Sequence, residues 1–337
     1  MFTTWAVFLT SAAIIIYAGT KLSQYGDRIA ELTGLGRLWI GVLLMAAATS
    51  LPELLTTMSA SLMQAADLAA GDLFGAGMSN MLTLGLIDLL HRNKRVWQQA
   101  AYEHTLVASL AMVLTGLAAF FVLLRADVEH VGVGVGSVVL LILYVLGMRI
   151  VFRQEDVKRR QREHEAVVEA AALAADVPVA RHAALRRASA GFAVAALALL
   201  VGAPFLAGSA KAIAEETGVS ATFIGTSLVA ITTSMPELVT ALAAVRLGAF
   251  DLAVGNLFGS NAFNMAAFFF ADAAFREGPL LSAVDSAHAL TALWSILLMN
   301  VGLMGIMYRV EQRYLLIEPD SMVIIVGYFL GLWLLFR

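Results

Sequence analysis

Cysteine is absent from this 337-residue chain, and charge is scarce: 14% of the residues are Asp, Glu, Lys or Arg, against 60% hydrophobic. The first absence excludes disulfides and thiolate metal sites, and says nothing of the compartment. The second excludes a water-soluble globular core, because a mean hydropathy of +0.82 leaves too little polar surface to cover one. Also missing are a G-x-x-x-x-G-K-[ST] phosphate loop, a His-Glu-x-x-His zinc motif, and any serine with an evident His or Asp base nearby. A nucleotide-driven pump and an intramembrane hydrolase thereby lose their chemistry, so the chain does not read as an enzyme. The net charge of −3 is uninformative as a sum, and nothing in it points to nucleic acid.

What is abundant is apolar sequence. A spanning helix needs roughly 20 apolar residues, and about ten such stretches occur, near 3–23, 38–61, 67–90, 103–124, 132–152, 189–208, 222–245, 251–274, 284–307 and 320–336. Lipid offers the backbone no hydrogen-bond partner, so uninterrupted apolar runs predict helices, and the expected fold class is an all-α integral membrane protein. The first run begins almost at Met1 without a basic n-region or evident cleavage site, and reads as a retained span rather than a signal peptide. Alternating the ten spans from an outside N-terminus puts eighteen of the twenty-two Lys and Arg on the inner side, leaving Arg125, Lys211, Arg276 and Arg337 outside. The positive-inside rule therefore favours a cell-membrane protein with both termini outside.

The longest polar segment, Arg153 to Arg187, falls on the cytoplasmic side midway along the chain. It reads as a solvated, partly helical linker without the alternating carboxylates and glycine of a Ca²⁺ loop. The expected organisation is a first five-helix repeat over 1–152, a linker over 153–188 and a second five-helix repeat over 189–337.

An internal repeat supports that division. Thr49–Asn80 aligns without a gap on Thr233–Asn264, with 16 of 32 positions identical and every pair 184 residues apart. Five spans separate the copies, and an odd number reverses the membrane sense of the second. Inverted repeats of this kind belong to transporters with a site at the bilayer midplane, opened alternately to either side.

Each copy carries an acid in the middle of an apolar span, Glu53 and Glu237. An ionised acid near a helix centre costs roughly 2.5–3.5 kcal/mol on insertion scales, so its retention at two repeat-related positions points to function. Thr49 and Ser50 lie four and three residues before Glu53, on its face of a regular helix; Thr233 and Ser234 repeat this before Glu237. Pro52 and Pro236 would release the carbonyls of Ala48 and Thr232, four residues earlier. Carboxylate, hydroxyl and carbonyl oxygens suit a hard cation such as Ca²⁺ or Na⁺, whereas transition metals would call for imidazole or thiolate. The glycines of Gly71–Gly77 and Gly255–Gly259 read as close helix packing, and Asn80 and Asn264 beyond them can each donate a carbonyl oxygen.

These segments resemble the α-repeats of the sodium/calcium exchanger family, within the broader cation/Ca²⁺ antiporter superfamily. The T-S-x-P-E blocks and the second copy's Gly255-Asn256-Leu257-Phe258-Gly259-Ser260-Asn261, closing on Asn264, carry the resemblance, and span them at about 38–90 and 222–274. The resemblance implies ten helices, an outside N-terminus, and exchange of Ca²⁺ against Na⁺ or H⁺ as the first and sixth helices slide across the core. By motif it implies metal-ion ligands at Thr49, Ser50, Glu53, Asn80, Thr233, Ser234, Glu237, Ser260 and Asn264, with no cofactor besides the transported ions. Inorganic cations and the bilayer are the expected partners.

The first copy departs from the pattern: Asp72, Ala76 and Gly77 stand where the family usually has Asn, Ser and Asn. Asn264 stands where sodium-coupled relatives often carry Asp. Two certain acids then suit one Ca²⁺ in one direction and protons in the other. Asp72 could restore a charge, face the inner mouth or pair with a base. Asp67 and Asp251, which repeat one another, suit helix N-caps, and His104 and His288 lie near helix starts, not beside a repeated acid. The methionines read as lipid-facing or core filler. The leading reading is a secondary antiporter exporting Ca²⁺; the alternative, motivated by the eroded first glycine motif, is a transport-impaired membrane cation sensor or scaffold.

Overall fold

The apolar runs fold as helices in the computed structural model, which describes residues 1–33, 49–90, 104–125, 129–130, 132–170, 178–246, 250–308 and 319–336. In chain order these are α1 (Phe2–Thr33), α2 (Leu51–Leu62), α3 (Ala66–Leu90), α4 (His104–Leu124), α5 (Val135–Ala170) and α6 (Pro178–Thr217). Then come α7 (Ala221–Thr233), α8 (Met235–Arg246), α9 (Phe250–Ala274), α10 (Ala287–Tyr308) and α11 (Pro319–Phe336). Two-residue strands, β1 (Glu129–His130) and β2 (Val133–Gly134), pair antiparallel ahead of α5. Five of the described helices are long and apolar enough to cross a bilayer, or six if the bent pair α7 and α8 is one span. The ten-span reading is consistent with this, although 38–48 of its second span lies outside the described residues.

The repeat is exact in the backbone: α2 and α8, and likewise α3 and α9, begin and end 184 residues apart. It also reaches further than Asn80 and Asn264. Asp88 and Asp272, His104 and His288, and Ser137 and Ser321 all keep the 184-residue spacing. The equivalent acids are bonded in equivalent ways. Ser321 of α11 donates to Asp88 of α3 (2.7 Å), and Ser137 of α5 donates to Asp272 of α9. Each half thus accepts from a helix of the other. Asp272 also accepts the backbone N–H groups of Gly134 (2.9 Å) and Leu280 (2.8 Å), which ties β2 and the turn before α10 to α9.

Two apolar clusters organise the helices. One is centred on α3, α4, α9 and α10, with Phe74, Met78, Leu114, Phe258 and Met299 at its heart. The other lies between α1 and α6, where Phe8, Ile15 and Leu22 meet Leu199, Leu206 and Ile213. The repeat-related first helices therefore pair with each other and pack on the remaining bundle as a unit. Gly19 of α1 lies over both proline breaks: a Cβ there would stand 2.4 Å from Pro236 Cγ and 3.2 Å from Pro52 Cγ.

Two expectations change. Asp67 lies inside the first turn of α3, and its carboxylate accepts the N–H of Asp285 (2.7 Å), so it caps the approach to α10 rather than its own helix. His288 is fully buried with Nε2 3.4 Å from Asp67, so it does sit beside a repeated acid, one the linear distance of 221 residues concealed. In the central connector, α5 continues to Ala170 and α6 starts at Pro178, with 171–177 outside the described residues.

Candidate ion-binding site

The site is built by two helix breaks at repeat-related positions. Ser50 (φ −86°, ψ 5°) precedes α2, and Ser234 (φ −84°, ψ 4°) separates α7 from α8; both occupy the bridge between the α and β regions. Pro52 and Pro236, each two residues on, explain the location, since proline has no N–H to continue the preceding helix. The axes of α7 and α8 differ by 42°. A π-turn, Gly225–Val229, further widens α7 opposite α3. There Gly71 and Gly75 bring the backbones together: a Cβ at Gly75 would meet Thr226 Cα at 2.6 Å. The packing role expected of these glycines is observed.

The breaks redirect the serines. On an unbroken helix Ser50 would face Glu53, but its Oγ donates to Glu237 Oε1 (3.1 Å) in the other half. Ser234 does the same in reverse, donating to Glu53 Oε1 (2.9 Å). The two bonds are one interaction seen twice through the pseudo-two-fold axis, and they bring Glu53 and Glu237 into one buried polar cluster. Ser260 Oγ also donates to Glu237 Oε1 (3.3 Å). Thr49 Oγ1 lies 3.5 Å from both Ser260 Oγ and Asn256 Oδ1. Thr233 donates to Asp72 Oδ1 (2.8 Å) rather than to a glutamate, with the carbonyls of Val229 and Ala230 also near.

All nine expected ligands are buried. Asn80 Nδ2 donates to Asn261 Oδ1 (2.8 Å), and Asn261 Nδ2 reaches the Gly77 carbonyl at 3.5 Å. Among the described residues Asn264 makes no side-chain hydrogen bond, nor do Glu53 Oε2, Glu237 Oε2 and Asn80 Oδ1. Unpaired buried acceptors of this kind are costly, and a cation would relieve those that it reached. Of the carbonyls expected to be freed by proline, that of Ala48 lies outside the described residues, and that of Thr232, in the last turn of α7, faces the backbone N–H of Ser234. Among the described residues no trio of acids or imidazoles converges into a ready-made metal cage. Coordination would therefore draw on hydroxyl and amide oxygens as much as on carboxylates, which is usual for a hard cation.

Four residues of this constellation escaped the sequence reading or were left open by it. Asp72 is buried and bonded to Thr57 (2.9 Å) and Thr233 rather than open to an inner mouth, and no basic side chain pairs with it among the described residues. Asn256 and Asn261 complete the second glycine motif, and could have been found by extending the Asn80 and Asn264 argument to every asparagine of that block. Thr57 has no signal in the repeat, since Ala241 is its counterpart.

Comparison with known proteins agrees with this geometry. The family model described as sodium/calcium exchanger protein matches residues 3–172 and 188–337. The inner membrane protein YrbG of Escherichia coli is 28% identical over 261 residues, 77% of this chain and 76% of that one. The putative antiporter CaxA of Alkalimonas amylolytica is 35% identical over 117 residues, 34% of this chain and 36% of its own. A solved structure of the sodium-calcium exchanger NCX_Mj, soaked with 10 mM Na⁺ and zero Ca²⁺, superposes with a TM-score of 0.60 at 21% identity, covering 98% of each chain.

Proposed function

This chain belongs to the sodium/calcium exchanger protein family, and on that footing we propose that it exports Ca²⁺ across the cell membrane in exchange for Na⁺ or H⁺ by alternating access. The observation that carries the reading is the reciprocal pair Ser50–Glu237 and Ser234–Glu53, which makes one oxygen-lined chamber from both halves of the chain. Glu53 and Glu237 supply the charge. Ser50, Ser234, Thr49, Thr233, Ser260, Asn80 and Asn264 supply neutral oxygens around it, and Ca²⁺ takes six to eight oxygen ligands in all, carboxylates and waters included. An empty chamber holding two ionised acids is the state that low dielectric resists most. Coupling follows: the chamber crosses between its two orientations when it carries a cation, which favours exchange over leak.

The separate α1–α6 pair supplies the moving part in this proposal. It packs on the bundle over the two proline breaks and can uncover the chamber on one side and then the other, with both termini outside and the 153–188 linker in the cytoplasm. The test is ⁴⁵Ca²⁺ flux in proteoliposomes under imposed Na⁺ or H⁺ gradients, with Mg²⁺, Mn²⁺ and K⁺ as competitors. The expected result is Ca²⁺ movement driven by one of the two gradients. Ca²⁺ binding without flux under either gradient would overturn it and favour a membrane cation sensor or scaffold.

A further inference from the structure

Among the buried positions of the aligned Thr49–Asn80 and Thr233–Asn264 segments, Asp72 is where the two halves differ by a charge: its repeat counterpart, 184 residues on, is Asn256. It is 1% exposed, and its two oxygens accept from Thr57 Oγ1 and Thr233 Oγ1 at 2.9 and 2.8 Å. Both donors are neutral, and among the described residues no Lys, Arg or His pairs with it. Asp72 is one residue removed from the glutamate cluster: Thr233 donates to it and the adjacent Ser234 donates to Glu53. Among the described residues both glutamates present an Oε2 without a hydrogen-bond partner, and Asn256 Nδ2 also lacks one. We propose that Asp72 is the residue that tilts this site toward divalent over monovalent cations, an inference that rests on the cation site proposed above.

Two physical effects follow from an acid at this position. An ionised carboxylate only accepts, so both threonines must donate to it. Thr233 has a single hydroxyl proton, for which Asp72 competes with the carbonyls of Val229 and Ala230, and the acceptor that takes it sets the direction of the oxygen lone pairs offered to a cation. The mirror-related Thr49 lies 3.5 Å from the neutral amide oxygen of Asn256, where Thr233 meets a carboxylate at 2.8 Å. The second effect is the field. Asp72 acts through space and through Thr233, as a positioning residue rather than a ligand, and the energy of an ion in the field of a fixed charge is proportional to the ion's own charge. Removing that charge therefore penalises a divalent ion about twice as much, on a logarithmic scale, as a monovalent one.

That ratio is the readout, because a merely structural residue would not produce it. Calorimetric titration of the detergent-solubilised full chain with CaCl₂, and separately with NaCl against choline, gives the two affinities. Asp72→Asn is expected to weaken Ca²⁺ binding roughly a hundredfold and Na⁺ binding roughly tenfold. The double variant Asp72→Asn with Asn256→Asp returns the carboxylate at the repeat-related position, and is expected to recover most of the Ca²⁺ loss. Equal fold-losses for the two ions, or no loss for either, would overturn the proposal. Should Asp72→Asn fail to fold, Asn256→Asp in the otherwise unaltered chain decides: Ca²⁺ must gain about twice the logarithm that Na⁺ gains, and an equal gain or none overturns it. An unaltered chain that binds neither ion overturns the proposed function itself, whereas normal binding with an unshifted Asp72→Asn overturns this inference alone.

Discussion

Ser50 and Ser234 are where one residue decides how two halves meet. Their equal dihedral angles and crossed bonds mean that each glutamate is held by the serine of the other repeat. A hydrogen bond to a charged group contributes about 1.5–3 kcal/mol, so Ser50→Ala and Ser234→Ala are each expected to weaken Ca²⁺ binding about tenfold or more, and by similar amounts. The pairing itself is open to a double-mutant cycle on thermal unfolding. Ser50→Ala should couple to Glu237→Gln by more than about 0.5 kcal/mol and to Glu53→Gln by close to nothing; the reverse pattern would restore a local pairing. The acids were legible in the sequence, because a carboxylate in an apolar run has few explanations. Their partners were not, since Ser50 stands three residues before Glu53 and only the break between them turns it away.

At the scale of elements, the chain is a set of equivalent helices joined by exchanged contacts. Glycine stands where α1 crosses Pro52 and Pro236 because no Cβ fits there without displacing proline. If α1 must move across that crossing, Gly19→Val should slow ⁴⁵Ca²⁺ exchange by at least about tenfold while calorimetric Ca²⁺ binding persists, a steric effect of the kind overpacking produces. Undiminished exchange would show that α1 stays still. Asp272 has a structural role: three donors converge on its buried carboxylate. Asp272→Ala leaves two backbone N–H groups unpaired and is expected to cost about 2–4 kcal/mol, seen as a lowered unfolding temperature in detergent. Both Asp272 and its counterpart Asp88 were within reach of the sequence, at the same 184-residue spacing as the motif. The identity thins out beyond Asn80, so only isolated polar pairs mark the continuation. The meeting of His288 with Asp67 could not be read from spacing, because it joins α10 to α3 through the packing of the whole bundle.

The whole molecule is legible first as composition and last as geometry. Apolar runs establish a helical membrane protein, the repeat relates Thr49–Asn80 to Thr233–Asn264, and the Lys and Arg distribution predicts an orientation. That orientation is directly testable, because the chain has no native cysteine. A membrane-impermeant maleimide applied to intact cells is expected to label Glu277→Cys, beyond the end of α9, and to spare Arg246→Cys at the end of α8; both positions are exposed. The opposite pattern would invert the topology. What composition leaves unsettled is whether the two acids serve one site or two. The crossed serines and the shared asparagine contacts argue for one. The most direct test is calorimetric Ca²⁺ titration of the unaltered chain, Glu53→Gln and Glu237→Gln side by side. A chamber shared by both halves predicts a single high-affinity Ca²⁺ per chain that either substitution abolishes, whereas full-affinity binding surviving in either variant would contradict it.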